Sequence, residues 1–129
     1  MGWVLRAGVA HALDLQKGYR EHLSVHGLFG FSVQYHASLP WQELARVGQY
    51  PHAQLSIGQE SDLRAALQPL GYDLRLVASP GASYHHTFVV LYDATGVMLT
   101  QLPLPVAEKL RETFTRVPNP YRVRPRRTP

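Results

Sequence analysis

The residues best equipped for chemistry are histidines followed two places later by a hydroxyl, in His36-Ala37-Ser38-Leu39 and His85-His86-Thr87-Phe88. Imidazoles exchange protons near neutral pH, and hydroxyls hydrogen-bond anionic oxygens. Two such tetrads at one cleft could therefore move protons and hold an anionic group. Residues i and i+2 of a strand share a face, so alternation makes His85 and Thr87 partners and assigns His86 to the opposite face with Phe88. By the same rule His36 pairs with Ser38.

Other chemistries find less in the chain. There is no cysteine, hence no disulfide, thiolate nucleophile or thiolate metal site. No Gly-x-Ser-x-Gly elbow or Gly-rich phosphate loop occurs, and Ser79-Pro80-Gly81-Ala82-Ser83 reads as a turn. His22 and His26 have the i, i+4 spacing of a helical metal pair but no acidic third ligand, so neither a metal nor a cofactor is expected.

The formal charge of +4 is unevenly spread. Residues 113–129 carry five arginines and no acid, which leaves the first 112 residues at −1. The basic character is therefore local. Tyr121, Arg122, Arg124, Arg126 and Arg127 mix an aromatic with cations that can track phosphates, so RNA or an acidic protein is the expected partner of this end. No apolar run approaches the roughly 20 residues that cross a bilayer and no signal peptide precedes the first strand, so no membrane role and a cytoplasmic location are expected.

The elements that must position these residues follow from the hydrophobic pattern. Strands are predicted over 3–8, 28–35, 54–57, 72–78 and 86–92, with a hairpin at Asp93–Gly96 leading into a strand over 97–102. Helices are predicted over 10–25, from Pro40 to Gly48, over 62–68 with Ser61 as its cap, and over 107–114. This order predicts a single α+β domain over residues 1–117, with a mixed sheet of five or six strands and three or four helices. A flexible Pro/Arg-rich tail is expected over 118–129.

The two histidine tetrads resemble those of the two-histidine phosphoesterases. That resemblance implies His36 and His85 as a base and acid pair, with Ser38 and Thr87 donating to phosphate oxygens. A second resemblance rests on Leu5-Arg6-Ala7-Gly8 on the first strand and Gly30-Phe31-Ser32-Val33 on the next, which is similar to the start of bacterial ADP-ribosyltransferase toxins. It implies that Arg6 contacts a dinucleotide and Ser32 supports a nicotinamide pocket. Glu60 would be its late acid, or His86 where a histidine replaces the acid.

The leading expectation is a small enzyme acting on RNA or a nucleotide phosphodiester, in a toxin or defence setting, with His85, His86, Thr87, His36 and Ser38 at its centre. A non-catalytic module binding nucleic acid or protein through the Arg-rich end is one alternative. An NAD-using enzyme built on Arg6 and Ser32 is the other.

Overall fold

Where β-branched and aromatic residues alternate, the chain is extended: β1 (Trp3–Ala7), β2 (Phe31–His36), β3 (Gln54–Gln59), β4 (Asp73–Ala78), β5 (His86–Tyr92) and β6 (Thr115–Pro118). Helices α1 (Ala12–Glu21), α2 (Trp41–Gly48), α3 (Glu60–Leu67) and α4 (Leu104–Thr113) connect them. In this computed structural model, which describes residues 2–21, 29–79 and 85–122, the strands form one sheet in the order β4-β5-β2-β1-β3-β6. The fold is α+β, as the pattern implied. Every strand pairing is antiparallel, so the sheet is not mixed in direction. The β-α-β order cannot fix this, because it does not say at which end of the sheet the chain re-enters.

Each sheet face has its own core. Val4, Phe31, Val33, Val89 and Leu91 meet Leu15, Tyr19, Leu63, Val106 and Leu110 on the face covered by α1, α3 and α4. On the other face α2 lays Leu44 and Ala45 over Leu5, Leu55 and Ile57. Buried on both faces from Phe88 to Leu91, β5 explains its near-continuous apolar run.

Four departures from the expected elements bear on how the chain packs. Helix α3 starts at Glu60 with Gln59 at its cap position and no side-chain cap, because the Glu60 N–H donates to the Gly2 carbonyl at 2.8 Å. Ser61 therefore falls inside the first turn instead of capping it. Helix α4 starts at Leu104 rather than Ala107, with Pro105 in the first turn, where its missing N–H is no loss. The Asp93–Gly96 turn forms, but the strand expected after it reduces to one bridge between Tyr92 and Met98. Strand β4 runs beside β5 to Tyr92 but β2 covers only His86–Val89, so the returning segment meets β5 just at its end, where the Leu99 N–H donates to the Leu91 carbonyl. Finally, β6 pairs with β3 from Thr115↔Ile57 to Pro118↔Gln54, so the boundary expected at 117/118 falls inside a strand.

Where β2 begins, Tyr19 takes over its role beside β5. The Tyr19 hydroxyl accepts from the Leu91 N–H at 3.1 Å and lies 2.9 Å from the Leu99 carbonyl and 3.3 Å from that of Leu91. Burial pushes its pKa up to about 12, so the hydroxyl remains a donor throughout the physiological range. Tyr19→Phe should lower the unfolding free energy by about 1–3 kcal/mol, since it strands the buried Leu91 N–H. Urea denaturation measures this, and a change below about 0.5 kcal/mol, the range of ordinary surface substitutions, would show that Tyr19 contributes by packing alone.

Candidate functional site

The centre of the sheet is parted. The β1–β2 ladder registers only Trp3–Leu5 against Gln34–His36, whereas β1 continues on β3 to Ala7 and β2 continues on β5 down to Phe31. The Arg6 side chain bridges the gap: its Nη1 donates to the Ser32 carbonyl at 2.7 Å, and its guanidinium carbon lies 5.4 Å from the centre of the Phe31 ring. A cavity of about 180 Å³ opens here, lined by Leu5, Arg6 and Ala7 from β1, Ser32 and Val33 from β2, His86 from β5 and Tyr50 from the loop after α2. Arg6, Ser32 and His86, which the sequence nominates separately, are thereby brought to one place.

Tyr50 has no counterpart among the residues singled out from sequence. Its position is prepared by Gly48, where a Cβ would lie 2.2 Å from the Tyr50 ring. Burial raises the Tyr50 pKa, while a hydrogen bond from the Gln34 side chain and the charge of Arg6 act against that rise. Gln34 lies on β2 between Leu5 of β1 and His86 of β5, only 2% exposed. Its Oε1 has no hydrogen-bond partner among the described residues. Gln34 stands behind the cavity rather than in its lining, next to Leu5 and His86, which do line it.

His36 and His85 also meet. Their ring centres are 5.0 Å apart in an edge-on arrangement, four residues or about 13 Å along β2 from Ser32. His36 Nδ1 accepts the backbone N–H groups of Ser38 at 3.0 Å and Leu39 at 3.1 Å. The neutral ring therefore carries its proton on Nε2 and offers it as a donor. Ser38 Oγ lies 3.3 Å from the same Nδ1, so Ser38 belongs to the turn that orients His36. Glu43 of α2 lies close enough to feel His85. Its carboxyl is held below the usual range first by the Arg46 hydrogen bond, against a burial penalty, and then by the charges of Arg46 and His85.

Thr87 stands apart from this pair. It is paired with Val33 on the α1/α3/α4 face, is 4% exposed, and its hydroxyl donates to the His85 carbonyl at 3.1 Å. The expected sharing of a face by His85 and Thr87 does not hold, because His85 has φ of +59°, outside the extended region in which alternation operates. His86 and Phe88 do share a face, their rings edge-on at 5.0 Å.

Glu60 lies outside the cavity. It accepts from the Tyr35 hydroxyl at 2.7 Å and from Arg64 Nη2 at 2.9 Å, which ties β2 to α3. Tyr121 and Arg122 are exposed, next to the loop that bears Tyr50. Arg124, Arg126 and Arg127, like His22, His26 and the turn residues Pro80–Ser83, lie outside the described residues. No group of three metal-ligating side chains occurs among the described residues, and none of their helices is long and apolar enough to cross a membrane. Comparison with protein-family models, curated proteins and solved structures finds no match for this chain.

The Glu60 geometry has a pH consequence. Burial works against its charge, but Tyr35 and Arg64 hold the carboxyl below the usual range. A lowered folded-state pKa contributes stability above the unfolded value of about 4.3 and loses it as pH falls through the folded value. Glu60→Gln should therefore lose less stability between pH 7 and pH 3 than the wild type does. Denaturation at a series of pH values tests this, and parallel acid limbs would show that Glu60 is not a source of acid sensitivity.

Proposed function

We propose that the cavity in the parted sheet takes the nicotinamide end of NAD and that the chain is an ADP-ribosyl-transferring enzyme. The convergence of Arg6, Ser32 and His86 on one cavity carries this reading. A space of about 180 Å³ suits a single ring and its amide, so the remainder of a dinucleotide would lie outside it along the sheet. Tyr50, hydrogen-bonded by the Gln34 side chain, supplies an aromatic wall, and Arg6 a cation near an anionic diphosphate.

In this reaction the bond between the ribose C1′ and the pyridinium nitrogen breaks, and its electron pair leaves with the nicotinamide, which becomes neutral. The electron-poor ribose carbon then bonds to an acceptor nucleophile, which gives up its proton. His86, at the cavity wall, takes the part of the family's acid by hydrogen-bonding a ribose hydroxyl and orienting C1′. The acidless, arginine-rich C-terminal end suits recruitment of an anionic target such as RNA or an acidic protein.

A second reading, phosphodiester cleavage by His36 and His85, is favoured by their 5.0 Å separation, which lets both rings reach one phosphate. It would proceed without the Thr87 hydroxyl, which is bonded to the His85 carbonyl.

Calorimetry with NAD and chromatography of released nicotinamide test the first reading. The wild type should bind NAD and release nicotinamide, Ser32→Ala should weaken binding, and His86→Ala should slow release by about 10²-fold with binding retained. A folded wild type that gives no binding heat and releases no nicotinamide would overturn it. If that protein instead opens a 2′,3′-cyclic nucleotide, with loss of activity in His36→Ala and His85→Ala, the second reading replaces the first.

A further inference from the structure

The loop that carries Tyr50 is held from the far end of the chain. Four consecutive carbonyls, from Tyr50 to Ala53, accept hydrogen bonds from the segment after β6. Asn119 Nδ2 donates to the Tyr50 carbonyl at 3.1 Å and to the His52 carbonyl at 3.0 Å. Arg122 Nε donates to the Pro51 carbonyl at 2.8 Å, and the Asn119 N–H donates to the Ala53 carbonyl at 2.9 Å. Asn119 Oδ1 accepts the Tyr121 N–H at 3.0 Å, so both ends of this amide are engaged. Asn119 is 9% exposed although it follows the last strand, where polar side chains usually face water.

From this we infer that Asn119 and Arg122 are positioning residues that hold Tyr50 over the cavity, which makes residues 119–122 part of the ligand site. The inference rests on the cavity reading above. A loop of irregular backbone has no ladder of its own to fix it. Here the fixing donors come from a segment about 70 residues away in sequence, directly before the arginine-rich end. Without them the Tyr50 backbone would lose its anchor while the Gln34 contact and the seat on Gly48 remained. The wall should then loosen, with the rest of the fold intact.

The test uses the full chain with 3-fluorotyrosine incorporated, the Tyr50 fluorine signal being assigned by Tyr50→Phe. Asn119→Asp replaces both donors by an acceptor facing two carbonyls and keeps the acceptor for Tyr121. It should shift the Tyr50 signal towards a solvent-exposed position and weaken NAD binding about tenfold, with cooperative unfolding retained. In a Tyr50→Ala background it should weaken binding no further. Arg122→Ala, which removes one contact, should move the signal in the same direction by less, and serves if Asn119→Asp does not fold. An unmoved Tyr50 signal overturns the inference whether or not NAD binds. A moved signal with unchanged NAD affinity also overturns it, since the clamp would then not serve the site. If the wild type binds no NAD, the ADP-ribosyl reading has failed separately, and the fluorine signal alone decides whether the clamp exists.

Discussion

The site depends on one side chain placed where a sheet would ordinarily close. Arg6 sits on a central strand, and its charge cannot be buried without partners. The Ser32 carbonyl and the Phe31 ring supply part of what it needs, and supplying it keeps β1 and β2 from pairing beyond Leu5 and Gln34. The same demand reaches α1. A Cβ at Gly18 would stand 3.0 Å from Arg6 Nη2 and 3.3 Å from the Phe31 Cβ, so the helix carries a glycine in its interior, which costs about 1 kcal/mol in propensity, to let the guanidinium and the ring pass beneath it. A residue that looks like a weak point in the helix is part of the device that opens the sheet.

Around that opening, the two faces of the molecule divide the work. The face packed by α1, α3 and α4 is a conventional apolar core, and it takes Thr87 with it. The α2 face is less completely apolar: Ser32, Gln34 and His36 project from β2 and His86 from β5. Helix α2 covers β1 and β3, while its following loop brings Tyr50 across to the parted strands. The positive φ of His85 turns its ring to meet His36 at the other end of β2. A left-handed backbone at a non-glycine residue costs of order 1–3 kcal/mol and concentrates at functional positions. The cavity and the histidine pair are thus two polar stations on one strand.

Much of this was legible along the chain. Alternation located β1, β2, β4 and β5 and separated His86 from Thr87, because a period of two is a local property of extended backbone. It failed at His85, where the backbone is not extended, while the cap expected at Ser61 was missed because the helix begins one residue earlier, at Glu60, whose N–H meets a distant carbonyl. Strand β6 was hidden because Thr115-Arg116-Val117-Pro118 is short and polar and borrows its hydrogen bonds from β3. Tyr50, Gln34 and Asn119 carried no signal of spacing at all. An aromatic beside a proline, a glutamine in a strand and an asparagine between prolines are each ordinary until their neighbours are known.

By itself the sequence determined the residue types available for chemistry, the α+β class, and the concentration of positive charge in the last seventeen residues, since these depend on composition and local periodicity. Only the tertiary structure decided that Arg6, Ser32 and His86 share a cavity, that His36 meets His85, and that the segment entering the basic end clamps the loop above the site. The physical reason is that strand order, strand direction and the closure of loops are set by contacts between residues far apart in the chain. No local pattern encodes which carbonyl an asparagine seventy residues away will find.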